Sequence, residues 1–219
     1  MGERIISTTH KLFSSLVEEV SECYSCEEMA YVHVLGSVCG PLDAHLLIVG
    51  EAPGRLGSAK TGIPFRGDRS SYRLDALLEF AGIDRSEVFV TNAVLCNPLR
   101  CFGDHVRNRT PRARELAACD SFFRRTLDLV QAPIVVALGA IALRALNQIE
   151  RHDIDRVSIE AGRPRPWAGR TLIPLVHPSP RTQGLRSWAE QRLDWASVGE
   201  LVRQQPLEFK VNNSKDLLR

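Results

Sequence analysis

The sequence predicts an α/β protein: a three-layer α/β/α sandwich around a central four-stranded parallel sheet. Three observations lead there. Four short apolar runs, rich in β-branched residues, recur at Leu46–Val49, Val88–Asn92, Ile134–Leu138 and Leu172–Val176. Such near-continuous apolarity marks strands buried on both faces. The segments between them carry apolar residues at helical spacing. At 219 residues the chain suits one sizeable domain and would be cramped as two. We expect that domain over residues 1–204, with a flexible tail over 205–219.

Taken in order, residues 8–20 place Leu12, Phe13, Leu16, Val17 and Val20 on one helical face, and Cys23-Tyr24-Ser25-Cys26 follows directly. The first strand stops at Gly50-Glu51-Ala52-Pro53-Gly54. A polar loop continues with Gly57, Gly62, Phe65, Gly67 and Asp68. Leu74, Leu77, Leu78 and Ala81 then predict a helix closed by Gly82. The second strand ends in Asn92, and residues 96–110 (CNPLRCFGDHVRNRT) read as a loop. Thr110-Pro111 reads as a cap and first-turn proline opening a helix to about Val130, with Leu116, Phe123, Leu127 and Val130 facing inward. The third strand runs into Gly139 and a helix bearing Ile141, Leu143 and Leu146. Residues 151–170 are polar, contain Pro164 and Pro166, and read as an excursion. The fourth strand ends in His177-Pro178-Ser179-Pro180, and a helix around Trp188 to Val202 closes the domain.

In a parallel sheet these strand ends share one edge, which is where open α/β sheets place ligands. A carboxylate (Glu51), an amide (Asn92), a glycine turn (Gly139) and an imidazole (His177) should therefore converge. The bland alternatives are an ordinary strand-to-helix loop, a core aromatic for Phe65, a turn cap for Asn92 and a structural histidine.

A net charge of +2 is too small to argue a nucleic-acid partner alone, but its makeup is suggestive. Lysine occurs only at 11, 60, 210 and 215, while arginines cluster between Arg100 and Arg125 and between Arg163 and Arg192. Arginine grips phosphate with a planar fork, so these segments suit a polyanion; an Arg-biased genome is the alternative. No apolar run is long enough to span a bilayer and no leader pattern is present, so a cytosolic protein is expected, nucleoid-associated if its partner is DNA. In that compartment six cysteines favour a metal or cluster over disulfides.

GEAPG followed by TGIPFRGDRS resembles the first motif of the uracil-DNA glycosylase superfamily, the first half like family 4 and the second closer to family 5. His177-Pro178-Ser179-Pro180 is similar to the last motif of that family, and Asn92 in VTNAVLCNP is similar to its base-reading asparagine. The resemblance covers roughly residues 20–200. It implies a 4Fe–4S cluster on Cys23, Cys26, Cys96 and Cys119. Cys39 and Cys101 are additional, and Cys101 could replace Cys96. Zinc would suit four thiolates equally by spacing.

A glycosylase must extrude its nucleotide into a pocket. Phe65 would stack on the base, with Gly50, Ala52 and Gly54 lining the pocket. Asn92 offers one donor and one acceptor to the O4/N3–H edge of uracil. His177 would donate to O2 as charge develops there. Family 1 carries an Asp where this chain has Ala52, so Glu51 or Asp68 must supply the carboxylate. We read Asp68 as positioning water and Glu51 as shaping the pocket, an Asp68–Arg69 pair being the alternative. Gly54 replaces a crowding Tyr of family 1, which leaves room for bulkier deaminated bases. Ser179 would grip phosphate, and Arg181 or Leu185 would fill the gap in the stack. With no lysine placed for a Schiff base, the resemblance implies a monofunctional, monomeric enzyme acting on uracil-containing DNA. A catalytically silent, metal-stapled nucleic-acid-binding module is the rival reading.

Overall fold

A computed structural model describes residues 2–205; the expected tail falls outside the described residues from 206 onward. Helix α1 (Gly2–Ser21) is followed by β1 (Met29–Ala30), β2 (Leu46–Gly50), α2 (Ser58–Thr61), α3 (Arg69–Ala81), β3 (Val88–Asn92), β4 (Asn97–Phe102) and β5 (His105–Asn108). Then come α4 (Ala113–Leu129), β6 (Ile134–Leu138), α5 (Ala140–Ile149), α6 (Val157–Glu160), β7 (Arg165–Trp167), β8 (Arg170–Leu175) and α7 (Trp188–Gln204).

The central sheet has the order β3-β2-β6-β8-β7. The four expected strands are its parallel members, but the sheet has five strands, not four. The fifth, β7, comes from the segment expected to be a polar excursion and runs antiparallel to β8. Ala168 (φ 47°) and Gly169 (φ 69°) turn the chain between them, the left-handed pair that suits a two-residue hairpin. Pro166 is tolerated because β7 is an edge strand with no neighbour on its outer side among the described residues.

Alternation along the strands builds the layers. Leu47, Val49, Phe89, Val135, Ala137 and Leu172 pack with Phe13, Leu16 and Val20 of α1 and with the apolar faces of α4 and α5. Leu46, Ile48, Val90, Val136, Ile173 and Leu175 pack on the opposite side with Leu74, Leu77 and Leu78 of α3 and with Trp195 and Val198 of α7. Each Val, Leu, Ile or Phe side chain among them that is removed from water stabilises the fold by roughly 1.5–3 kcal/mol.

Two further differences from the sequence reading concern residues 96–113. The expected loop is largely a hairpin, β4–β5, turning at Gly103-Asp104 and extended by β1 into a small second sheet. Helix α4 begins at Ala113, not at Thr110-Pro111, because Glu115 accepts the Arg112 backbone N–H at 2.8 Å and so satisfies the first turn from within. The same carboxylate receives Arg109 Nη1 and Nη2 at 2.7 and 2.6 Å, while Arg109 Nε donates to Leu99 O at 2.9 Å. This buried fork ties the root of the hairpin to α4. Burial raises the Glu115 pKa, but Arg109 and the Arg112 N–H outweigh it and hold the carboxyl below its ordinary value. Replacing Glu115 with Gln leaves the buried guanidinium only the exposed Glu28 carboxylate, 3.9 Å away, so chemical denaturation should show a loss of about 3 kcal/mol. A loss under about 0.5 kcal/mol, the size of an ordinary surface substitution, would refute that role.

Candidate active site

Parallel register sets Gly50 opposite Asn92, so β2 and β3 end level at the carboxyl edge. Asn92 is 1% exposed, and its Nδ2 is buried without a hydrogen-bond partner among the described residues. Such an orphan costs about 1–3 kcal/mol, the kind of cost a ligand acceptor would remove. A Cβ at Gly50 would stand 2.4 Å from Asn92 Oδ1 and 2.8 Å from Phe65 Cε2, so all three meet around one missing methyl. The rings of Phe65 and His177 lie 5.5 Å apart at 34°. Glycine, aromatic, amide and imidazole, drawn from distant stretches, thus share one place.

Phe65 is 7% exposed and packs with the α3–α7 side of the core, so its core role and its place at the site coexist. Its φ of 48° puts a bulky residue in the left-handed region, at a cost of order 1–3 kcal/mol.

His177 follows β8. Its Nδ1 accepts the Ser179 N–H at 3.2 Å, so in the neutral ring the proton sits on Nε2. Thr182 Oγ1 donates to His177 O at 2.6 Å and steadies the turn. Burial pushes the imidazole pKa down to about 4; the Asp68 carboxylate opposes this and Arg181 adds to it. Ser179 Oγ accepts the Arg181 N–H at 3.3 Å, Arg181 is exposed, and Leu185 is 64% exposed.

Asp68 is the N-cap of α3. Its Oδ1 accepts the Ser71 N–H at 2.9 Å, and Ser71 Oγ accepts the Asp68 N–H at 2.9 Å. Its Oδ2 lies 2.5 Å and 3.4 Å from where Cβ atoms would stand at Gly57 and Gly54, directly above the GEAPG turn. Among the described residues it forms no ion pair with Arg69. Burial raises the Glu51 pKa, and a hydrogen bond involving Thr110 works against that rise. Ala52 packs on the α4–α5 side of the core.

The sequence reading missed what braces this turn. Asn97 Nδ2 donates to Pro53 O at 2.6 Å and to Asn108 Oδ1 at 3.1 Å, and Asn108 Oδ1 also accepts the Arg55 N–H at 3.0 Å. The hairpin is therefore a wall of the site. Its register sets Arg100 opposite Arg107 and Phe102 opposite His105 on one face, with the Arg100 guanidinium over the Phe102 ring. Neither arginine has a carboxylate partner among the described residues. The Gly103-Asp104 dipeptide between β-forming residues was the signal available for it.

Cys23, Cys26, Cys96 and Cys119 form one electrostatic neighbourhood. Burial, then the charges of Glu115 and Cys23, raise Cys26; burial is the main cause for Cys96, to which Cys23 and Cys26 add. Burial pushes Cys119 up to about 12, with Cys96, Cys26 and Cys23 adding to it. Cys39 stands apart, pushed to about 12 by burial and influenced by Arg85, and Cys101 is exposed on the hairpin. Among the described residues no three potential ligands are grouped tightly enough to hold a metal ion as they stand. A surface groove of about 700 Å³, lined by Cys39, Arg66 and Arg85, lies apart from Asn92 and His177.

The family model for the uracil DNA glycosylase superfamily matches residues 37–196. The type-4 uracil-DNA glycosylase of Thermotoga maritima is 34% identical over 175 residues, which span 78% of this chain and 84% of the relative. That of Archaeoglobus fulgidus is 28% identical over 203 residues, 89% of this chain and 96% of the relative. The type-5 uracil-DNA glycosylase of Pyrobaculum aerophilum is 32% identical over 154 residues, 64% of each chain. A family match over most of the chain, with relatives of both type 4 and type 5, assigns it: the chain belongs to the uracil DNA glycosylase superfamily.

Proposed function

We propose that the protein is a monofunctional uracil-DNA glycosylase that hydrolyses the C1′–N1 bond of an extruded deoxyuridine, releasing uracil and leaving an abasic site. The observation that carries this reading is the orphaned Asn92 amide, buried beside an aromatic ring and an imidazole at the carboxyl edge. Asn92 Nδ2 donates to O4 and Oδ1 accepts N3–H; cytosine presents the reverse pattern and leaves both groups unpaired. Phe65 stacks on the ring. As the glycosidic bond stretches, negative charge gathers on O2 and the sugar becomes oxocarbenium-like. His177, neutral with its proton on Nε2, donates to that oxygen. Asp68 Oδ2 orients water toward C1′ and stabilises the cationic sugar, and Glu51 shapes the turn beneath. Gly54 leaves space that admits other deaminated bases.

DNA is gripped on the same edge. Ser179 and its backbone neighbours hold phosphate, and Leu185, an apolar side chain 64% exposed, enters the emptied stack, with Arg181 the other candidate. The Arg100/Arg107 pair adds a second positive patch, since like charges set opposite each other in a hairpin gain from a phosphate between them. We read the enzyme as a cytosolic monomer built on residues 1–204; among the described residues no helix is long and apolar enough to cross a membrane.

The cysteine corner fits an iron–sulfur cluster. Cys96 receives backbone hydrogen bonds from His33 and Val32 and Cys119 from Leu95, the N–H···S support common to cluster ligands. Cys23, Cys26, Cys96 and Cys119 would hold a 4Fe–4S cluster that ties the segment after α1 to β4 and α4, a structural role since base excision transfers no electrons. Elemental analysis should return iron with sulfide; a zinc-only protein would overturn the iron assignment.

Uracil-containing single- and double-stranded oligonucleotides, incubated with the protein and then treated with alkali, should be cut at the uracil. Asn92→Ala and His177→Ala should each slow excision by roughly 10²–10³-fold, the scale of losing a preset donor, with DNA affinity largely kept. No scission from any deaminated base would favour a silent nucleic-acid-binding module. Because folded His177 titrates near 4 and its unfolded counterpart near 6.5, the unfolded chain binds more protons between those values. The stability contributed by this group is complete above about pH 6.5 and lost as pH falls toward about 4. Single-turnover excision should therefore show no His177 titration near neutrality; a midpoint near the ordinary histidine value, abolished in His177→Gln, would contradict the neutral-donor role.

A further inference from the structure

Phe65 holds a backbone conformation that phenylalanine disfavours, yet its ring must stay fixed between Gly50 and His177. The peptide group joining Pro64 to Phe65 is gripped at both ends. Its N–H donates to Ser58 Oγ at 2.9 Å, and its carbonyl oxygen accepts Arg85 Nη2 at 2.9 Å. Ser58 belongs to α2 and is itself buried. Arg85 stands in the short turn that leads into β3, with Asp75 3.6 Å from its Nη1; Asp75 also faces Arg66 at 3.7 Å.

We infer that Ser58 and Arg85 are positioning residues that lock the Pro64–Phe65 peptide plane and thereby hold Phe65 against the extruded base; this rests on the glycosylase reading above. A peptide plane held at oxygen and nitrogen cannot flip, and a flip is the motion that would release Phe65 from its left-handed φ to an ordinary one. A flipped peptide would carry the ring away from Gly50 and His177. The clamp also explains why the bracing residue comes from the turn that leads into β3. The other end of that strand bears Asn92, so base stacking and edge reading are referred to one rigid element. Neither Ser58 nor Arg85 touches the reacting atoms, and their effect is carried entirely by the aromatic ring.

The test is competitive inhibition by free uracil, measured alongside single-turnover excision and binding to abasic-site duplex. Ser58→Ala and Arg85→Ala should each raise the uracil inhibition constant and slow excision about tenfold, the equivalent of one lost hydrogen bond. Abasic-duplex affinity should stay within about twofold, since the phosphate-gripping residues are untouched. The double variant should be little worse than the poorer single one, because both residues hold one plane. Ser58→Thr, which keeps the hydroxyl, should restore uracil binding. If Arg85→Ala does not fold, the Ser58→Ala and Ser58→Thr pair carries the test alone. Unchanged uracil inhibition in Ser58→Ala, with excision lost in Asn92→Ala, would overturn the clamp and leave the glycosylase reading standing. Full excision in Asn92→Ala as well would instead overturn that reading.

Discussion

The site is organised by the absence of one carbon atom. Gly50 ends β2 level with Asn92 on β3, and any side chain there would run into both the Asn92 amide oxygen and the Phe65 ring. Parallel pairing brings the two strand ends together, and the missing Cβ lets an aromatic from a separate loop close over them. The left-handed backbone at Phe65 follows from the same need, since the loop must bring a large ring inward across a very short span. Geometry that is costly in isolation is held by a sheet that is buried on both faces and does not yield.

Two further costs are concentrated at this edge. Among the described residues Asn92 keeps a buried donor without an acceptor, and His177 sits where burial disfavours its charge. Both are liabilities for an empty protein and assets for one that receives a flat, polar ring carrying a carbonyl on either side of an imide N–H. Asp68 shows a parallel economy: one carboxylate oxygen caps α3 and fixes the side chain, which leaves the other facing the turn. Stability is drawn from elsewhere, from the two apolar layers and from the Arg109–Glu115 fork that ties the hairpin root to α4.

Much of this was legible in the residues because burial writes itself into composition. Leu46–Val49 and Ile134–Leu138 are apolar throughout, since both their faces are covered, and parallel pairing alone aligns their ends. Edge elements leave no such trace. The strand β7 is three residues long and holds a proline, and β4–β5 is largely exposed, so neither shows the alternation that marks a half-buried strand. Nor could the chain reveal that Asp68 is a helix cap with no ion pair to Arg69, or that Asn97 and Asn108 prop the GEAPG turn. Those facts depend on contacts between segments far apart in sequence. A positive φ at a phenylalanine has no signature in composition at all.

Recognition depends on a buried amide that awaits one particular pattern of donors and acceptors. The most direct measurement is the NMR response of the Asn92 side-chain NH₂ to free uracil and, separately, to free cytosine. Uracil should shift the Asn92 Nδ2 proton signals, while cytosine at the same concentration should leave them in place. Uracil binding that leaves those signals unmoved, or an equal response to both bases, would contradict it.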